Sequence, residues 1–421
     1  MNSGGTLSNR WLVVVGAILI QLCLGAIYAW SVFTKPLVEA GWTKTETQAV
    51  FAAGLALFAI VMVIAGRLMP KIGPQKLAIS GGIVLGLGYL LAGLFGGTSF
   101  WLIFIFIGII GGSGIGLAYV VPIAVGMRWF PDKKGLITGL AVAGFGFGAT
   151  LWVKLAGTWG SLISIYGLSS TFTIYGVVFF IAVLVGSFWM VFPPEGWKPE
   201  GWTPSETTAN SPTGNGEVHF DSGQMLKTPQ YYMILLTFAF GASAGLMSIG
   251  LMKLFPMQAL QASGIEKAVA SGIAGTAMAV FFSLANGFGR IAWGAISDKL
   301  GRKNSIVLMM ATQGVFVILF QWMAGTPALL FLGATLIGFN FGGNFALFPT
   351  ITADTFGTKY VGQNYGWVFL AYGIGGIFGP ILGGKLGDMG NFPLAFIICG
   401  VLCLLAAGII SGVKPPQKTT A

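Results

Sequence analysis

Few side chains in this sequence could do chemistry, and Arg290 is the first of them. It stands deep in an apolar stretch, about two helical turns before the polar loop that opens at Asp298, hence about 12 Å along a helix axis. An unpaired guanidinium in a low-dielectric setting costs several kcal/mol unless something anionic visits it. Its planar fork matches a carboxylate in bidentate geometry. Anchoring a carboxylate is therefore the chemistry expected of Arg290; the structural alternative is an arginine held by helix carbonyls and water. Asn286 lies one turn earlier on the same helix face, where it could hold the guanidinium or donate to the bound group. Tyr28, Tyr119 and Tyr372 also sit well inside apolar stretches. Each offers an apolar ring and a hydroxyl that needs a partner when buried, which suits a small molecule with a short apolar body and a polar head. Asn340, Asn344, Phe341 and Phe345 extend the candidate wall.

Other chemistries have little to work with. The 12 acidic residues fall in loops or at the ends of apolar stretches, and the sole histidine, His219, stands between Glu217 and Asp221 in a polar segment. It reads as a solvated loop residue rather than a metal ligand. Positioned acid–base, nucleophilic or metal groups, which an enzyme requires, are not in evidence, so neither catalysis nor a cofactor is expected. The runs Gly111–Gly116 and Gly373–Gly379 have the look of phosphate-binding loops. They lie inside apolar stretches of membrane length, where close helix contact is the better reading. Cys23, Cys399 and Cys403 lie in apolar stretches too and read as small buried side chains, not a disulfide framework.

The elements that must position these residues are set by composition. Only 8% of the 421 residues are charged against 55% hydrophobic, with 66 glycines. Soluble chains carry about 25% charged residues, so most of this surface must face lipid. Glycine at this level, without a collagen period, suits close-packed transmembrane helices. Crossing a bilayer takes about 20 apolar residues. Twelve stretches qualify: 11–33, 47–69, 77–97, 100–127, 135–158, 169–193, 230–257, 268–297, 304–324, 328–350, 361–386 and 392–413. Residues 194–229 are rich in Pro, Gly, Ser, Thr and Glu and read as a solvated linker. The expectation is an all-α integral membrane protein with an amino-terminal six-helix half (1–193), a linker (194–229) and a carboxy-terminal six-helix half (230–421). The first stretch is long enough to cross a bilayer and lacks the cleavage pattern of a signal peptide.

The net charge is +10, but the basic residues cluster in short loops, so they read as topology determinants and not as a nucleic-acid surface. Arg67, Lys71 and Lys76 follow span two; Arg128, Lys133 and Lys134 follow span four; Lys299, Arg302 and Lys303 follow span eight. The alternate loops are nearly uncharged. The positive-inside rule then puts the basic loops, the linker and both termini in the cytoplasm, across an inner membrane. Lys35, Lys154, Lys253 and Lys385 fall near the outer span ends, where they can reach the headgroups.

The halves echo each other. Gly66-Arg-Leu-Met-Pro-Lys71-Ile-Gly73 follows span two, and Gly294-Ala-Ile-Ser-Asp298-Lys299-Leu-Gly301 follows span eight. Both fit G-x-x-x-[D/P]-K-x-G with trailing basic residues, and so resemble the signature loop of the major facilitator superfamily. In that family the loop's Asp and basic residues latch neighbouring helices; Pro70 stands where the Asp is usual. Arg128-Trp-Phe-Pro-Asp132-Lys-Lys-Gly135, Met225-Leu-Lys-Thr-Pro-Gln-Tyr-Tyr232, Asn286-Gly-Phe-Gly-Arg290 and Ala346-Leu-Phe-Pro-Thr350 sharpen the likeness. Over nearly the whole chain the sequence resembles the oxalate:formate antiporter and monocarboxylate transporter families.

That resemblance implies a transporter whose substrate-binding residues include Arg290, Tyr28 and Tyr119. The oxalate carrier has a lysine in span eleven where this chain aligns Tyr372, and one buried cation suits one carboxylate. The resemblance therefore implies a lactate-, pyruvate- or formate-like monocarboxylate as partner, with or without a co-transported proton, carried by a monomer in membrane lipid. Eukaryotic monocarboxylate carriers place an Asp where Asn286 stands and a lysine in span one that has no midspan match here, so a protein carboxylate is not expected to relay the proton. The alternative is dicarboxylate-for-monocarboxylate exchange, with a membrane enzyme or sensor a distant third.

Overall fold

In a computed structural model the chain is described over residues 10–157, 159–199, 219–252, 254–414 and 416. Among these are twelve helices long and apolar enough to cross a membrane. They are α1 (Arg10–Trp30), α2 (Ala49–Ile72), α3 (Pro74–Gly96), α4 (Phe100–Trp129), α5 (Lys134–Ala156) and α6 (Leu162–Ser187), then α7 (Pro229–Leu251), α8 (Lys267–Leu300), α9 (Arg302–Met323), α10 (Pro327–Phe356), α11 (Val361–Gly387) and α12 (Phe392–Ser411). All twelve expected spans are matched, and the ends differ where polarity and helicity part company. Helix α10 runs on past Pro349 through Thr350, Thr352 and Asp354, because helical hydrogen bonding does not stop where apolar sequence does. Helix α6 starts seven residues before the expected Ser169 and is broken at Gly167 (φ 78°, ψ 174°).

The chain forms two compact units, Met1–Gly148 with Trp152–Thr203, and Ala149–Leu151 with Pro204–Ala421. Of the stretch expected as a linker, residues 200–218 lie outside the described residues, as does Lys253. The linker's flanks are not solvated coil. Trp129 Nε1 donates to the Val191 carbonyl (2.7 Å), and its ring meets Trp197 edge-on at 4.9 Å. On the other flank Phe220 N donates to the Phe356 carbonyl (3.0 Å), while Asn364 Nδ2 donates to the Phe220 carbonyl (2.8 Å). Half-buried His219 packs on Gly357, where a Cβ would stand 2.3 Å from its Nδ1, so its reading as a solvated loop residue is corrected. Backbone groups and a buried asparagine, invisible to a polarity count, dock these segments.

Within each unit the helices pair in one pattern. In the amino-terminal unit α2 packs on α4, α3 on α4 and α6, and α1 on α4 and α6; in the carboxy-terminal unit α8 packs on α10, α9 on α10 and α12, and α7 on α10 and α12. Glycines set the closest crossings. A Cβ on Gly112 or Gly116 of α4 would stand 2.6 or 2.7 Å from the carbonyl oxygens of Gly54 and Phe58 on α2. The same spacing recurs on α10, where a Cβ on Gly338 or Gly342 would stand 2.4 or 2.1 Å from the Phe282 and Asn286 carbonyl oxygens of α8. Gly144 and Gly148 of α5 likewise meet the Ile18 and Leu22 carbonyls of α1, as Gly375 and Gly379 of α11 meet those of Ala239 and Ser243 on α7. Small residues i and i+4 apart let backbones touch, which is how helices associate where lipid removes the hydrophobic drive.

Ion pairs fasten one end of each unit. Arg302 bonds Asp298 (2.6 Å) and Asp354 (3.1 Å) and also donates to Ser297, tying the α8–α9 turn to the end of α10. In the amino-terminal unit, where Pro70 replaces the expected Asp, Arg10 pairs with Asp132 (2.9 Å) and lies over the Phe130 ring at 4.5 Å.

The crossings predict a sharp contrast. Gly379→Ala drives a methyl into the Ser243 carbonyl (2.2 Å) and should cost about 1–3 kcal/mol. Gly408→Ala on α12, with open space around it, should leave the melting midpoint in detergent nearly unchanged. Equal midpoints for the two variants would contradict the close-approach account.

Candidate functional site

Arg290 lies in the last third of α8, downstream of a widened π-helical stretch, Ala277–Phe282, in which Ser283 Oγ donates to the Met278 carbonyl (2.9 Å). Such stretches re-aim the residues that follow and recur at functional sites. The arginine has no exposed surface, and among the described residues it is the one charged side chain in the buried set. Its Nε donates to Asn286 Oδ1 (3.1 Å), one turn back, and its guanidinium carbon lies 4.1 Å from the centre of the Phe345 ring. Thus Asn286 holds the guanidinium, one of the two roles its position allowed. The carboxylates that fall within the twelve helices, Asp298 and Asp354, are at the helix ends and bonded to Arg302.

Tyr372 of α11 belongs to the same cluster. Its ring meets Phe345 edge-on at 5.5 Å and stacks on Phe369 at 5.1 Å. Phe341 meets Phe345 at 5.4 Å, and all these rings are buried. The carboxy-terminal unit therefore brings together Arg290, Asn286 and Tyr372 by way of Phe345, a residue that spacing alone left in the second rank.

Tyr28 and Tyr119 lie in the amino-terminal unit, where both meet Phe145 edge-on, at 5.1 and 5.4 Å. Tyr119 also meets Phe58 at 4.9 Å and is 1% exposed, while Tyr28 is half-buried. Gln21 of α1, fully buried, donates from Nε2 to the Tyr119 backbone carbonyl (3.1 Å). That carbonyl lies three residues before Pro122, which brings no backbone donor to this part of α4. Sequence reasoning passed over Gln21, although a lone amide midway along an apolar span was the signal. The glycine register makes the two clusters comparable. Phe58 and Met62 occupy in α2 the places that Asn286 and Arg290 occupy in α8, and Tyr119 answers to Phe345. At the α2 and α8 places the scaffold is apolar in one unit and polar in the other, while the ring opposite is a tyrosine in the first and a phenylalanine in the second.

Both ends of the Asn340 amide are engaged between helices, whereas the buried Asn344 Oδ1 has no hydrogen-bond partner among the described residues. Asn340 Oδ1 accepts from Trp293 Nε1 (3.1 Å) and its Nδ2 donates to Thr312 Oγ1 (3.1 Å), joining α8, α10 and α9. Asn344 Nδ2 donates to the Phe341 carbonyl (2.9 Å).

The family model of the Major Facilitator Superfamily matches residues 10–285 and 266–421. The chain belongs to the major facilitator superfamily. It is a transporter and, with twelve helices long and apolar enough to cross a membrane among its described residues, a multi-pass membrane protein. Superfamily relatives include YhjX of Escherichia coli, described as an uncharacterized MFS-type transporter, 28% identical over 88% of this chain and 86% of that one. The oxalate:formate antiporter of Oxalobacter formigenes is 27% identical over 98% and 93%, and apicoplast pyruvate carrier 1 of Toxoplasma gondii is 24% identical over 86% and 81%. Among solved structures, a variant of the E. coli fucose:proton symporter FucP aligns with a TM-score of 0.66 at 14% identity, covering 96% of this chain and all of that one; this likeness concerns the fold.

Because Asn340 satisfies groups on two neighbouring helices, Asn340→Leu should destabilise the protein by about 1–3 kcal/mol, the cost of stranding the Trp293 donor. Melting in detergent checks this. An unchanged midpoint would return Asn340 to the list of groups available to cargo.

Proposed function

We propose that the chain carries a small monocarboxylate of the lactate, pyruvate or formate class across the inner membrane by alternating access, with Arg290 as the carboxylate anchor. The observation that carries this reading is a guanidinium without exposed surface, oriented by Asn286 and Phe345, on a helix whose one carboxylate is committed elsewhere. A desolvated guanidinium binds a carboxylate through charge-assisted, bidentate hydrogen bonds far more strongly than a hydrated one does. Tyr372 adds a ring beside the anchor and no second charge. Tyr28 and Tyr119 are assigned to the cargo's apolar body on the strength of the family resemblance. The relatives' printed names, an oxalate:formate antiporter and a pyruvate carrier, agree with a carboxylate cargo.

Asn286 cannot release a proton, so coupling, where it occurs, runs through the protonation of the cargo itself. Exchange of a dicarboxylate for a monocarboxylate is the second reading, favoured by the antiporter's likeness over 98% of this chain. In either case the basic loops set both termini and the 194–229 segment on the cytoplasmic side.

Arg290→Ala should abolish cargo-specific uptake in proteoliposomes while the protein still elutes as a folded species in detergent. Arg290→Lys should retain little uptake, since an ammonium cannot reproduce the fork. Near-normal uptake by the Ala variant would remove Arg290 as the anchor.

A further inference from the structure

We propose that Phe345 is a positioning residue for Arg290: the negative face of its ring fixes the plane of the guanidinium and so aims the anchor's fork. This inference rests on the reading of Arg290 as the carboxylate anchor.

The contacts with Asn286 and Phe345 meet the guanidinium from different directions. Asn286 Oδ1 takes the Nε proton at 3.1 Å, which fixes one edge. The ring of Phe345 lies 4.1 Å from Cζ, which covers the group from a ring face. A hydrogen bond at Nε permits rotation about its own axis, and a ring against the group opposes that rotation. The ring is itself held. Tyr372 and Phe341 meet Phe345 edge-on at 66° and 84°, and Phe238 does so at 6.4 Å and 87°. These neighbours are offered edgewise and bury the ring to 2% exposure. Ring quadrupoles attract cations over the face, and the attraction grows when both partners are desolvated. A carboxylate taken bidentately lies in the guanidinium plane, so it and the ring use different sides of the cation.

An aromatic side chain at this place could instead be a packing element, since the other unit keeps Tyr119 at the corresponding position, where Met62 and not an arginine is the counterpart. The two roles differ in one respect. Packing depends on the ring's shape, and positioning through the face depends on its electron density.

Fluorination separates them, because fluorine drains the ring face with little change of volume. The full-length protein would carry 4-fluoro-, 3,5-difluoro- or 3,4,5-trifluorophenylalanine at position 345, and uptake of radiolabelled lactate and formate into proteoliposomes would be measured. KM should rise stepwise along the series, reaching about tenfold for the trifluoro ring, with the maximal rate within about twofold of the unmodified protein. Phe345→Leu should match the trifluoro protein; if it fails to fold, the fluorinated series decides alone. A flat KM along the series, with uptake still lost in Arg290→Ala, overturns the role of Phe345 and leaves the anchor standing. Uptake that survives Arg290→Ala overturns the anchor and the positioning role with it.

Discussion

Taking a guanidinium out of water is the constraint around which the carboxy-terminal unit is arranged. Arg290 has no exposed surface, and a buried ion without compensation costs several kcal/mol even after the protein relaxes. Part of that cost is offset locally, by Asn286 at Nε and by the Phe345 ring. Neither neighbour carries a negative charge. The carboxylates within reach of the helix ends are bound to Arg302, and that ion-pair cluster makes its own contribution by tying α8, the turn into α9 and α10 together. On the proposed reading, the cargo's carboxylate adds to these contacts.

The scaffold that holds the cation is not special to it. Glycines i and i+4 apart bring α4 onto α2 and α10 onto α8 at the same spacing, and the α1–α5 and α7–α11 crossings repeat in the same way. Because Gly342 lies so close to the carbonyl of Asn286, the backbone that presents Arg290 is fixed by direct contact between main chains. On this duplicated frame one unit has Phe58, Met62 and Tyr119, and the other Asn286, Arg290 and Phe345. Chemical function therefore enters as a few substitutions on a repeated packing solution, which is how one fold can serve unrelated cargoes.

Much of this was legible in the sequence because lipid imposes a long apolar period that no other environment demands. The twelve spans and the burial of Arg290 within one of them follow from where charge is absent. The pairing of Asn286 with Arg290 was legible too, since residues one turn apart share a helix face. What could not be read was whichever contact joined different helices. Phe345 is one phenylalanine among 34, and nothing local marks it as the ring against the arginine. Asn340 looked like a cargo contact because it is polar and midspan, yet both ends of its amide are used between helices. His219 and Phe220 looked solvated because their segment is polar, yet backbone bonds dock it. The glycine register that equates Met62 with Arg290 was also hidden, since the equivalent helices share spacing and little else.

The central claim is that one buried cation selects a cargo of one negative charge. Its most direct test is competition on the unmodified protein at neutral pH. Uptake of radiolabelled lactate into proteoliposomes would be challenged with unlabelled formate, pyruvate and oxalate over a range of concentrations. Oxalate and pyruvate are similar in size, so their difference reports charge more than fit. The account predicts that pyruvate displaces lactate at concentrations about tenfold or more below those needed for oxalate, since a second carboxylate would be desolvated without a partner. Oxalate competing better than pyruvate would contradict it, and would mean that the count of buried cations does not set the selectivity of this transporter.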